Sequence, residues 1–215
     1  MSEPPTETSP TARTAKGAQR RAELLDVAEA VLVESGQGEL TMRAVAAAAQ
    51  VRLGHLQYYF ASRGELVTAV LNRTLERSLE RLTPVLSSLD QPVSELVRTL
   101  LAEHSNQRLV RIYTEIWALA ARDVSIAEAV RGFYATYQDH VAALISARSP
   151  EISPETARAN ARIVTMLIEG AALFRSGIAG HADPVTDDAL ITAATGLLMP
   201  GAVTRGGRRP PERAS

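Results

Sequence analysis

Residues Thr41–Leu66 read TMRAVAAAAQVRLGHLQYYFASRGEL, two short helical patterns separated by about one tight turn. Thr41 suits a helix N-cap, because its hydroxyl can accept one of the amides that a first turn leaves unpaired. Behind it Met42, Val45, Ala46 and Ala49 recur at helical spacing and give one small, flat apolar face. A break follows at Gln50 and Val51. The spacing then predicts a second helix from about Arg52 to Tyr58, with Leu53 and Leu56 inward and His55, Gln57 and Tyr58 outward. A helix with packing duties alone would carry charge on that outer face. An imidazole, an amide and a phenol suit hydrogen bonding and stacking in a DNA groove, so the layout is that of a DNA-reading helix-turn-helix. Ser62–Glu65 forms a capping box, SRGE, that opens a further helix. The positive end of that helix, with Arg63, would attract a phosphate.

Single residues in this stretch admit plainer roles. Tyr59 and Phe60 are expected to pack beneath the second helix, while Tyr58 stays open between packing and DNA contact. His55 is either a DNA contact or a solvated imidazole. Upstream, Arg13, Lys16, Arg20 and Arg21 fall in a window without acidic residues, which is either a phosphate-contacting arm or a solvated charge run.

The chain has 215 residues and a net charge of −1, so basic character is local and not global. That length allows a small domain followed by a larger one. With no cysteine there is no disulfide, thiol nucleophile or Cys-based metal site, and a cytoplasmic location is the simplest fit. Neither a secretory signal nor a membrane-spanning apolar run is read. The four histidines, at 55, 104, 140 and 181, lack metal-ligand spacing, and no Ser-His-Asp signature or phosphate-cradling glycine loop is found. No catalytic residue, metal or cofactor is therefore expected, and an enzyme is the disfavoured class. The termini, through Gly17 and from Pro200 on, are rich in Pro, Gly, Ser, Thr and charge and are expected to be disordered.

Between the tails no window alternates like a strand, so the expected fold is all-α. The first helix should end at Gly36, and the fourth should run from Ser62 and stop before Pro84. Further helices are expected from near Pro92, over Gln107–Ala121, from a Ser125–Glu128 capping box to about Ala147, from Ser153 to about Gly177, and from Thr186 onward. Expected boundaries are a tail over 1–15, a helix-turn-helix domain over 16–62, a helical domain over 63–200 and a tail over 201–215.

Two features of the larger domain carry function. In the helix after Ser153, Ile163, Leu167, Gly170, Ala171 and Phe174 make one apolar stripe, and Ala157, Ala161, Val164 and Ile168 make another. A helix buried on two sides, with Leu190, Ala194, Leu197 and Leu198 on the next, fits a four-helix subunit interface or the interior of a monomer. Earlier, Tyr113, Trp117 and Ala120 share one helical face, and Phe133, Tyr137, His140 and Leu144 share another. These stripes are either core or the wall of a small-molecule pocket with His104 and Glu169 at its edge.

Gly54, Leu56, Tyr59 and Phe60, a G-x-L-x-x-Y-F pattern, together with Arg63, Glu65, Leu66 and the upstream Thr41, resemble the tetracycline-repressor (TetR/AcrR) family over roughly the first third of the chain. The resemblance implies a homodimer with an N-terminal three-helix DNA-binding domain and a larger ligand-binding and dimerisation domain. It implies a repressor bound to a palindromic DNA operator and released by a small-molecule effector, cationic or lipophilic in class. The runner-up is a helical ligand-binding or protein-interaction module without specific DNA binding. On this reading Thr41, Arg43, Arg52, His55, Gln57, Tyr58 and Arg63 face DNA. His104, Tyr113, Trp117, Tyr137 and Glu169 meet the effector, and Ile163, Leu167, Ala171, Phe174, Leu190 and Leu197 join subunits. The chain departs from the family at the turn, where Gln50 replaces the usual Gly and Arg52 the usual Ser, and at Gln57, where Tyr is frequent.

Overall fold

The computed structural model describes residues 10–103 and 106–200. Among them nine helices form and no strand: α1 (Pro10–Ser35), α2 (Met42–Ala48), α3 (Leu53–Tyr59), α4 (Arg63–Ser87), α5 (Val93–Glu103), α6 (Gln107–Ala120), α7 (Val124–Arg148), α8 (Pro154–Arg175) and α9 (Pro184–Leu198). The all-α expectation holds. A lone antiparallel bridge, Ser176 to His181, closes the turn after α8. No helix among the described residues is long and apolar enough to cross a membrane.

The chain divides into two compact units, with the division between Thr74 and Leu75, inside α4. The expected boundary stood at the start of that helix. Its first turns belong to the first unit because Leu66, Val67, Val70 and Leu71 are buried there. Arg73 also donates to the Ala22 carbonyl of α1 at 2.8 Å and pairs with Asp26 at 3.0 Å.

Helix ends follow their local chemistry, with four corrections to the sequence reading. First, α1 begins at Pro10, ahead of the expected tail boundary. Proline lacks an amide that a first turn would leave unpaired anyway. The Ala, Arg, Lys and Gln that follow favour helix enough to carry Gly17, whose cost is about 1 kcal/mol. Second, α4 runs through Pro84 to Ser87. Packing wins over the lost hydrogen bond, worth about 3 kcal/mol, because Leu86 is buried and Leu82 and Val85 lie against the core of the second unit. Third and fourth, Asp123 and not Ser125 caps α7, and Asp183 and not Thr186 caps α9; each carboxylate accepts amides of the first turn. Ser153 caps α8 as expected, and Gly36, at φ 78°, follows the end of α1 in the left-handed conformation.

The core of the second unit is drawn from α4 to α9. Its centre holds Leu96, Val97, Val141, Ile145, Ala161 and Ala194, all essentially inaccessible. Arg175 locks three helices at one end, with a bidentate pair to Asp187 at 2.8 Å and a donated bond to the Leu101 carbonyl at 2.7 Å.

Candidate nucleic-acid interface and interior cavity

In the first unit the Thr41 hydroxyl accepts from the Ala44 amide at 3.1 Å and starts α2. That helix ends in a Schellman turn: the Val51 amide donates to the Ala46 carbonyl at 2.9 Å and the Gln50 amide to the Ala47 carbonyl at 3.0 Å. Gln50 holds φ 54°, the only non-glycine residue with positive φ among the described residues. Arg52 stands at the N-cap of α3 and makes no side-chain cap bond.

Leu56 is fully buried and fixes the rotation of α3, while Leu53 is only partly covered. His55, Gln57 and Tyr58 face outward, Tyr58 with 82% of its surface free. Tyr59 sits beneath them as a platform, with edge-on ring contacts to Tyr58 at 5.0 Å and to His55 at 5.5 Å. Phe60 is fully buried, its ring covered by the Arg21 guanidinium at 4.9 Å. Arg43 and Arg52 are exposed. A groove of about 840 Å³ runs between the start of α1 and α3, lined by Lys16, Arg20, Glu23, His55, Tyr58 and Tyr59. Within it Arg20 pairs with Glu23 at 2.7 Å.

Arg63 is exposed and also braces the backbone of the first unit. Its guanidinium donates to the Leu40 carbonyl at 2.8 Å and to the Gln37 carbonyl at 2.7 Å, tying the start of α4 to the loop before α2. The adjoining capping box is offset by one residue: Ser62 accepts from the Glu65 amide, and Glu65 accepts from the Ala61 amide.

In the second unit Tyr113, Trp117, Tyr137 and Glu169 converge. One cavity of about 30 Å³ is lined by Ser78, Arg81, Leu100, Glu103, Tyr113, Phe133, Tyr137 and Glu169 among others. A second, of about 20 Å³, is lined by Val110, Tyr113, Thr114, Trp117, Glu169 and Ala172 with two further apolar residues. Tyr113 and Glu169 line both and so stand between them. The rings of Tyr113 and Trp117 lie 6.2 Å apart, and those of Phe133 and Tyr137 stack at 6.3 Å.

The residue that sequence reasoning missed is Tyr134. Its hydroxyl accepts from the Trp117 indole at 3.1 Å and is hydrogen-bonded to Glu169. It lies one helical turn before Tyr137, a spacing that would have placed it on the same side of α7. Burial pushes the Glu169 carboxyl up to about 7, an effect the bond to Tyr134 only partly offsets. Burial likewise raises Tyr113, Tyr134 and Tyr137, and the neighbouring Glu169 charge adds to the rise in each. His140 does not reach either cavity, and its buried Nδ1 has no hydrogen-bond partner. His104 lies outside the described residues.

The expected subunit-joining set divides in two. Ile163 and Phe174 are exposed, and Leu167 is half-buried. Leu190 and Leu197 rest partly buried against the core of their own chain. Ala171 is a correction: at 5% exposure it belongs to that core, because it continues the Val164–Ile168 stripe by one turn. Met166, Leu173 and Ile178 instead extend the exposed apolar side of α8 and the turn after it.

Residues 24–70 match the family model described as bacterial regulatory proteins, tetR family. An uncharacterized HTH-type transcriptional regulator in the dhlA 5′ region of Xanthobacter autotrophicus is 34% identical over 155 residues, covering 68% of this chain and 75% of the relative. The HTH-type transcriptional repressor KstR2 of Mycobacterium tuberculosis is 31% identical over 108 residues, 48% of this chain and 54% of its own length. Among solved structures, the multidrug binding protein EbrR complexed with malachite green superposes with a TM-score of 0.60 at 27% identity, over 83% of this chain and 98% of that one.

Proposed function

The chain belongs to the tetR family of bacterial regulatory proteins, and from that premise we propose that it represses transcription as a homodimer bound to a palindromic operator and is released by a small molecule. The observation that carries this reading is the outer face of α3, where His55, Gln57 and Tyr58 stand free while Leu56 is buried. Three side chains able to bond or stack on base edges, on a helix held by its opposite side, are what major-groove reading needs. Arg43 and Arg52 supply phosphate contacts, and Thr41 supports them by capping α2.

Two-fold pairing brings two such helices to half-sites about one DNA turn apart. The exposed apolar side of α8, from Ile163 to Phe174, supports pairing through that helix. On this reading the effector enters beside Tyr113, Trp117, Tyr137 and Glu169, a choice supported by the two small cavities that these residues line. It acts by binding more tightly to the conformation that fits DNA poorly, since a ligand shifts an equilibrium only by its differential affinity.

A gel shift of the purified protein with DNA flanking its own gene tests the proposal. Specific retardation, lost when the half-sites are scrambled, is expected. Binding that ignores sequence would favour the module that has no operator.

A further inference from the structure

The outer surface of α3 divides into two sides. His55 and Tyr58 turn toward α1: both rings rest edge-on against Tyr59, and all three line the groove whose other wall carries Lys16 and Arg20. Gln57 stands outside that groove, about 200° around the helix from His55. It is exposed, and among the described residues no hydrogen bond or ion pair holds its carboxamide. A long helical side chain leans back over the preceding turn. There Gln57 meets Gly54, which is exposed and helical; apart from its own turn of helix, no atom lies within 4 Å of where a Cβ would stand. Neither its φ nor packing inside the unit calls for glycine at this position, and glycine weakens a helix relative to alanine. The missing side chain lets a base-pair edge approach the helix beside a free amide.

The free groups on α3 differ in how many points of a base edge each can meet. The Tyr58 hydroxyl meets one. The two ring nitrogens of His55 point in different directions, so only one reaches a given base edge. The Gln57 carboxamide sets a carbonyl oxygen and an amino group side by side, the complement of the N6 donor and N7 acceptor that adenine shows in the major groove. Guanine shows two acceptors there, cytosine a donor, and thymine an acceptor with a methyl group, and each leaves one end of the amide without a partner. A half-satisfied amide taken out of water weakens binding.

We infer that Gln57 reads an adenine in each half-site and sets the base preference at that position. The assignment rests on the operator reading above and names the base that this side of α3 selects. The Tyr that is frequent here in the family carries one hydroxyl and cannot make this pair of bonds.

Selection from a random pool of double-stranded DNA, with the full-length protein and its Gln57→Ala and Gln57→Arg variants, tests the assignment. Fluorescence anisotropy then follows on the selected site and on versions carrying each of the other three base pairs at the assigned position. The wild type is expected to select an adenine at symmetry-related positions of the two half-sites and to lose about tenfold or more in affinity when both are changed. Gln57→Ala should bind all four versions within about twofold of one another. Its other base preferences should stay, because Leu56 holds α3 from the opposite side. Gln57→Arg should select guanine where the wild type selects adenine, since a guanidinium pairs with guanine O6 and N7. That change of base is a gain that a loosened helix cannot produce. An adenine preference that survives Gln57→Ala, an affinity that falls evenly for every sequence, or a Gln57-dependent preference for another base overturns the assignment and leaves the operator reading standing. A wild-type protein that selects no sequence overturns both.

Discussion

The Trp117 indole donates to the Tyr134 hydroxyl at 3.1 Å, across the interface of α6 and α7, and through that hydroxyl it orients the Glu169 carboxyl of α8. Three helices thus share one short polar chain of partly buried side chains at the edge of the second unit's core. Each member is a poor choice for a core on its own, and together they satisfy one another except for the spare acceptor positions of Glu169.

Stability should therefore depend on pH through Glu169. Its folded value is raised from the ordinary 4.5 to about 7, so between those values the folded state binds the proton that the unfolded state has released. Stability then falls as pH rises through this window, and the whole penalty, on the order of a few kcal/mol, is present above about 7. Glu169→Gln should raise the denaturation midpoint at pH 8 more than at pH 4.5, measured by urea unfolding at both. An identical gain at the two values would mean that burial does not act on this carboxyl.

Replacing Gln57 and Tyr58 together by alanine should weaken operator binding by about 1–3 kcal/mol for each base that is no longer read. Both side chains are exposed, so thermal stability should stay within about 0.5 kcal/mol of the wild type. Fluorescence anisotropy with a labelled operator, beside calorimetric melting, reads the two effects. An unchanged operator affinity would take the outer face of α3 out of the interface.

For Arg63→Ala the outcome should be reversed. Losing two charge-assisted bonds to the Leu40 and Gln37 carbonyls should cost about 1–2 kcal/mol of stability, somewhat less than a buried pair because the residue is exposed. The slope of operator affinity against salt should stay near the wild-type value. A slope lower by about one would identify a phosphate contact.

Charge placed on α8 should separate two roles. Phe174→Glu meets a side chain that is 60% exposed within its own chain, so the subunit should stay folded while light scattering shows the dimer dissociating. Ala171→Glu places an unpaired charge in the core and should unfold the second unit, at a cost of several kcal/mol. A dimeric Phe174→Glu protein would move the subunit interface elsewhere.

Gln50→Gly should raise stability by about 1 kcal/mol, because glycine takes φ 54° without the steric cost a side chain meets there. Arg52→Ser should add about 1 kcal/mol by supplying the missing cap. Differential scanning calorimetry of the two variants tests both, and a loss of stability in Gln50→Gly would show that the Gln50 side chain makes an offsetting contact.

What the sequence made legible was whatever depends on neighbours along the chain. The alternation of caps and apolar spacing located α2, α3, α6 and α8, and the start of α5, to within a residue or two. Helix starts at Asp123 and Asp183 were misplaced because Ser125 and Thr186 offered competing local caps only two or three residues on. The continuation of α4 past Pro84 depends on Leu86 finding a core built from distant segments, which no local pattern announces. For the same reason Tyr134 escaped notice: its role is set by Trp117 and Glu169, which lie on other helices.

The exposed apolar side of α8 has a consequence for how the protein behaves at low copy number. Ile163, Met166, Leu173 and Phe174 lie bare on a lone subunit. If pairing covers them, folding and assembly are linked by mass action, and the melting temperature climbs with protein concentration. Dilution then acts as a mild denaturant, and newly made subunits stay vulnerable to aggregation and proteolysis until each meets a second copy.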